Sequence, residues 1–172
     1  MELKIRRGLS RTHITDSEGN VLFIIKGKSF FSLEKTVLYP DATPAYSVKK
    51  DPKPLDRRDK YIFKDYDSKN EFYAWADSEA YQCDKSFPLY KYFFFAPVEI
   101  YIEAESFFGE LSIRRSGISR FDIFINGRKK GIISRKKVIC DDIDDAGLLS
   151  VLYVFTDYII NSEEVCRIAD AT

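Results

Sequence analysis

The densest run of side chains with chemical potential in this sequence is basic, and lies between Arg114 and Lys137. If residues 110–115, 120–126 and 131–139 are consecutive strands of a meander, the turn at 116–119 sets Arg115 beside Arg120. The turn at 127–130 then sets Arg120 roughly opposite Lys137. Arg114, Arg115, Arg120, Arg135, Lys136 and Lys137 would collect at one end of the sheet. Guanidinium groups hold phosphate oxygens in bidentate pairs, so such a cluster suits an anionic phospholipid headgroup or another phosphorylated ligand. The competing reading is a row of solvated strand ends, partly neutralised by Asp141, Asp142, Asp144 and Asp145. A second triplet, Arg128-Lys129-Lys130, lies about seven residues along the strand, roughly 23 Å away at about 3.3 Å per residue, and belongs to a different patch.

Other reactive groups are sparse. The acidic run 141–145 could ligate calcium, but it lacks the alternating ligands and mid-loop glycine of an EF-hand, and capping of a following helix explains it better. His13 has Ser10, Thr12 and Asp16 near it in sequence, yet nothing marks an oxyanion site, so no catalytic residues are assigned and a non-enzymatic role is expected. Cys83, Cys140 and Cys166 are far apart and, with one histidine, offer no recognisable zinc spacing; no metal or cofactor is expected. Trp75 and the run Tyr90-Lys91-Tyr92-Phe93-Phe94-Phe95 could present an aromatic surface to a protein partner, against ordinary packing as the alternative.

The elements that must position these groups read as strands. The chain has 172 residues, 45% hydrophobic and 15% aromatic, which suits a single domain spanning residues 1–172 with a substantial core. Lys+Arg and Asp+Glu are both 27, so the chain as a whole is not built for nucleic acid and any anion-binding surface must be local. An odd cysteine count and an N-terminus without a continuous apolar segment point to a reducing, cytoplasmic setting. The glycines fall in two groups, 8–27 and 109–147, mostly spaced as tight turns between short strands. Phe121, Ile123 and Ile125 alternate with Asp122, Phe124 and Asn126, and Asn126-Gly127 then opens a hairpin. Residues 98–105 alternate likewise. Tyr61–Asp65 and Glu71–Ala76 read as a hairpin turned by residues 67–70. Tyr90–Phe95 reads as a further strand, Tyr81–Pro88 as irregular, and the charged, proline-punctuated stretch 49–59 as an exposed loop.

One segment breaks the β pattern. Residues 146–160, AGLLSVLYVFTDYII, form an apolar helix that follows four aspartates and is hydrophobic on nearly every side. At about 1.5 Å per residue it spans roughly 22 Å, short of a roughly 30 Å hydrocarbon core, and Asp157 would sit inside the lipid. Enclosure by protein is favoured over a membrane-associated or oligomer-buried helix, and the protein is not expected to be integral to a membrane. The fold expected is mainly β: a closed antiparallel barrel around this C-terminal helix.

The acidic stretch 141–145 followed by Leu148–Ile160, with its late Asp157, resembles the final helix of the tubby C-terminal-like superfamily, which includes tubby proteins, phospholipid scramblases and LURP-one-related proteins. Ile14–Phe23 is similar to that group's early strand, D-x-x-G turn and strand. The resemblance implies about twelve strands closed round a central helix, as in a small bacterial-type member. It implies little about activity, because a shared fold need not share a function. The scramblase-like palmitoylated cysteine run and a long proline-rich N-terminal arm are absent from this sequence. The expected role is a binding or scaffold module for an anionic phospholipid, membrane surface or phosphorylated ligand, with a protein-interaction module as the alternative.

Overall fold

Among the described residues the chain forms twelve strands and one helix. The computed structural model describes residues 1–8, 10–27, 32–51, 58–77, 100–103, 110–117 and 119–169. The strands are β1 (Glu2–Arg7), β2 (Arg11–Thr15), β3 (Val21–Gly27), β4 (Glu34–Leu38), β5 (Pro44–Asp51), β6 (Arg58–Asp65), β7 (Glu71–Asp77), β8 (Ile100–Glu103), β9 (Leu111–Gly117), β10 (Arg120–Ile125), β11 (Arg128–Ser134) and β12 (Lys137–Cys140); helix α1 is Ala146–Ala169. In β10, Phe121, Ile123 and Ile125 are buried while the residues between them are half-buried or exposed, the period-2 signature of a one-sided sheet.

Every strand is antiparallel to its neighbour in sequence, and β1 also pairs with β12, through Glu2↔Ile139, Leu3↔Val138 and Lys4↔Lys137. The first and last strands are therefore neighbours in one antiparallel sheet. All junctions except β8–β9 carry ladders of several residue pairs, whereas β8 and β9 share a single one, Ile100↔Ile113. Among the described residues, no longer ladder laces that seam. The sheet curls far enough to enclose α1, whose residues 146–156 are all buried.

A helix covered on all sides must satisfy its own polar groups. Ser150 Oγ donates to the Ala146 carbonyl at 2.6 Å, and Thr156 Oγ1 to the Tyr153 carbonyl at 2.9 Å. Leu149, Leu152, Val154, Phe155 and Ile159 fill the space between helix and wall, all at or below 1% exposure. Burying a side chain of this size stabilises by about 1.5–3 kcal/mol. Among the described residues, no helix is long and apolar enough to cross a membrane.

The turn chemistry follows the sequence. Asn126 and Gly127 adopt φ of 51° and 72°, the left-handed pair of a two-residue hairpin turn, which asparagine and glycine tolerate best. Asp16 organises the β2–β3 turn: its carboxylate accepts the N–H groups of Gly19 at 2.8 Å and Asn20 at 2.9 Å. The hairpin expected around residues 67–70 is the β6–β7 turn, with Asp65 accepting from the N–H groups of Asp67 and Ser68.

Four expectations need correction. Residues 131–139 are two strands, because β11 ends at Ser134 and β12 starts at Lys137, with Arg135 and Lys136 in the turn. Both ends of the loop placed at 49–59 are strand, since Lys49–Asp51 belong to β5 and Arg58–Asp59 to β6; residues 52–57 lie outside the described residues. Helix α1 continues nine residues beyond Ile160, where its sequence becomes polar. The aspartates before it are not side-chain caps: Asp145 pairs with Lys130 at 3.2 Å, and Asp142 accepts the N–H of Asp144 at 3.2 Å. The expected strand at 90–95 and irregular stretch at 81–88 lie outside the described residues.

Candidate functional site

Antiparallel ladders send successive connections to alternate ends of the sheet. One end carries the connections β1–β2, β3–β4, β9–β10 and β11–β12; the other carries β2–β3, β4–β5, β6–β7, β10–β11 and the lead-in to α1. Charge divides along the same line. At the first end, neighbouring strands in the order β10, β11, β12, β1, β2, β3, β4 contribute Arg120, Arg135 and Lys136, Lys137, Arg7, Arg11, Lys26 and Lys35. At the second end lie Asp16, Glu18, Asp41, Asp67, Glu110 and Asp141–Asp145, with Arg128, Lys129 and Lys130 among them.

The pairing register places the expected site residues. Arg120 lies opposite Gly117 and Ser134, with a bulge between Arg120 and Phe121, so Arg115 faces Phe121 instead of Arg120. The extra residue in the bulge shifts the simple count there. Lys137 is paired with Lys4 on β1, not with Arg120. Arg120, Arg135, Lys136 and Lys137 thus share one end and are exposed. Arg114 stands a row inward, opposite Asp122, with its guanidinium 4.9 Å from the centre of the Phe124 ring. The two basic triplets do lie at opposite ends: Lys129 pairs with Asp122 at 3.1 Å and Lys130 with Asp145.

Arg7, Arg11, Lys26 and Lys35 join the cluster only through tertiary structure. Two of these cations turn inward to the helix. Arg7 Nη2 donates to Asp157 at 2.6 Å and to the Tyr153 hydroxyl at 2.7 Å. Burial opposes the Arg7 charge, but Tyr153 and Asp157 outweigh it and its pKa is raised. Lys35 lies 3.9 Å from Asp157 and 5.0 Å from the centre of the Tyr158 ring. Burial lowers the Lys35 pKa, Asp157 counteracts this, and Arg7 adds to it. Tyr158 also donates its hydroxyl to the Ser32 carbonyl at 2.7 Å. Side chains of α1 therefore fasten the inner edge of the basic end; of its other cations Arg11, Lys26 and Lys136 are exposed, and Arg120, also exposed, lies 4.0 Å from Asp122. Lys137 donates to Glu2 at 2.9 Å, and this bond holds the Glu2 carboxyl below its ordinary range.

The other candidates do not assemble. His13 is half-buried mid-strand, opposite Arg6 and Ile24, and the nearby Asp16 carboxylate is engaged with turn amides. Cys140 is buried, and burial pushes its thiol pKa up, which disfavours the thiolate needed for nucleophilic chemistry. Among the described residues, no group of three or more His, Cys, Asp or Glu could hold a metal ion. Cys83 and the 90–95 aromatic run lie outside the described residues, and the described structure gives no side-chain environment for Trp75 or Cys166.

No family model matches the chain, and no curated protein matches it. Among solved structures, it is similar to the X-ray structure of a protein from Arabidopsis thaliana, with a TM-score of 0.53 over 91% of this chain and 90% of that one, at 13% identity. That likeness concerns the fold alone, which is β-rich in both.

Proposed function

We propose that the chain is a non-enzymatic binding module of the tubby C-terminal-like architecture, its twelve strands closing round α1, and that its basic end recognises an anionic phospholipid or another phosphorylated ligand in the cytoplasm. The observation that carries this reading is the arc of cations from Arg120 on β10 to Lys35 on β4, opposed at the rim by Glu34, by Glu2 against Lys137 and by Asp122 near Arg120, and on the inside by Asp157. Like charges gathered on neighbouring strand ends repel one another, and an anion that enters their field relieves that repulsion. Arginines among them add bidentate phosphate contacts. A protein-interaction role through Trp75 and the 90–95 run rests on side chains outside the described set.

The reading is tested with two probes at low and high ionic strength: vesicles containing phosphatidylserine, and soluble inositol hexakisphosphate. At least one should bind, and binding should weaken steeply with added salt because exposed charges are screened within about 10 Å at 0.1 M ionic strength. No binding of either probe at low ionic strength would overturn it.

A further inference from the structure

We infer that a groove on the outer wall of the sheet, along β4, is a binding site for a short zwitterionic peptide: a dipeptide with an apolar C-terminal residue. This site stands apart from the anion reading of the basic end, although Lys26 belongs to both. Val37 is fully buried and Lys35 reaches towards Asp157 on α1, so strand alternation turns Glu34, Thr36 and Leu38 to the outside. On β3 the burial of Ile25 does the same for Lys26, which lies directly opposite Thr36 in the ladder. Lys26, Gly27, Glu34, Thr36 and Leu38, with Ala42 from the β4–β5 turn, line a groove of about 430 Å³. That volume falls within the roughly 300–1,000 Å³ of small-molecule sites.

Three kinds of chemistry follow one another along the groove. Glu34 supplies a carboxylate at one end, Lys26 and Thr36 an ammonium and a hydroxyl in the middle, and Leu38 with Ala42 an apolar end. Residues two apart on a strand are separated by about 6.6 Å at about 3.3 Å each. That matches the reach of a two-residue peptide, at most about 7 Å, and exceeds the gap between the charges of one amino acid. The peptide's ammonium meets Glu34, its carboxylate meets Lys26 and Thr36, and the side chain beside that carboxylate lies on Leu38 and Ala42. A reversed peptide would set like charges against Glu34 and Lys26.

These groups are available to a ligand. Among the described residues, Lys26 and Glu34 form no ion pair with each other or with a neighbour, and the Thr36 hydroxyl makes no hydrogen bond. A molecule carrying both signs of charge can therefore bridge them with charge-assisted hydrogen bonds. The wall at the apolar end is set in advance. The Tyr39 N–H donates to the Thr43 carbonyl at 2.8 Å and the Ala42 N–H to the Tyr39 carbonyl at 2.9 Å. The Asp41 carboxylate accepts the Thr43 N–H at 2.9 Å and the Thr43 hydroxyl at 2.6 Å. A wall already ordered loses little freedom when a ligand settles against it.

The test is an amide NMR titration of the full chain with glycyl-L-leucine. Shifts should centre on the amides of Lys26, Gly27, Glu34–Leu38 and Ala42 and saturate with a dissociation constant near about 1 mM, the scale for roughly a dozen ligand atoms. An exposed charge pair contributes up to about fivefold, so N-acetyl-glycyl-leucine and glycyl-leucinamide should each bind about three- to fivefold more weakly at these amides. Glu34→Gln should weaken glycyl-leucine by the same factor and leave N-acetyl-glycyl-leucine unchanged, which pairs that carboxylate with the peptide ammonium. Lys26→Gln should do the same for the peptide carboxylate, with glycyl-leucinamide as the unchanged probe. Both side chains are exposed, so neither replacement threatens the fold, and the peptide analogues test the parent chain itself. Free L-leucine should bind at least about threefold more weakly; equal binding would overturn the two-residue spacing. No shift at these amides with about 10 mM glycyl-leucine, or a loss on Glu34→Gln that is the same for the acetylated peptide, would overturn the inference. Either result leaves the anion reading of the basic end as it stands.

Discussion

Replacing Phe155 with alanine should destabilise the protein by about 3–5 kcal/mol, the range for truncating a buried aromatic side chain. Phe155 is fully buried near the middle of α1's enclosed stretch and packs edge-to-face on Tyr61 at 4.7 Å and on Phe63 at 5.5 Å, while Phe63 stacks on Phe72 at 4.5 Å. One side chain thus joins the helix to β6, and through Phe63 to β7. Its removal loses transfer energy, ring contacts and packing around the cavity that remains. For a domain of this size each kcal/mol lowers Tm by about 2–4 °C, so the melt should fall by roughly 10–15 °C. Phe155→Leu, which keeps most of the volume, should lose less than half as much. A Phe155→Ala melt within about 2 °C of the parent would show that the helix is not enclosed in this way.

Gly131→Ala should cost about 2–3 kcal/mol, near the top of the usual range for overpacking a core. A Cβ built at Gly131 would stand 2.5 Å from the Ile139 carbonyl oxygen and 2.7 Å from Leu149 Cδ1. Leu149 can rotate, but the carbonyl belongs to β12, which is paired with β11 through Gly131↔Cys140 and Ile132↔Ile139. Relief of the clash therefore requires β11 and β12 to separate or α1 to shift. Chemical denaturation should register the loss as a lower midpoint with an unchanged slope. A midpoint equal to the parent's would mean that the β11–β12 ladder is looser than its register implies.

The strands of the C-terminal half were legible because alternation, Asn126-Gly127 and the glycine spacing all report local structure. The apolar helix was legible for a related reason: 15 residues with apolar groups on every side admit few environments, and Asp157 counts against lipid. What sequence could not give was registration. The hairpin turns tightly at Asn126-Gly127 and not over 127–130, and with one extra residue in the bulge between Ile123 and Phe124 this makes Ser134, not Lys137, the partner of Arg120. Four further members of the basic end, Arg7, Arg11, Lys26 and Lys35, were missed because they lie some hundred residues upstream of the visible cluster, and only the β1–β12 pairing makes them neighbours. A signal was present: hairpin connections alternate between ends, so once the first and last strands are adjacent, the β1–β2 and β3–β4 connections must share an end with β11–β12. The helix aspartates misled because Asp145 is drawn to Lys130, a contact no local rule anticipates.

The account stands or falls on where anions meet the molecule. Hydrogen exchange read by mass spectrometry, with and without phosphatidylserine-containing vesicles, addresses this directly. Slowed exchange in peptides spanning Arg7–Arg11, Gly117–Arg120 and Ser134–Lys137, with Asp16–Asn20, Asp65–Asn70 and Asn126–Arg128 unchanged, is the predicted result. Slowing at the acidic turns, or at neither end, would contradict it.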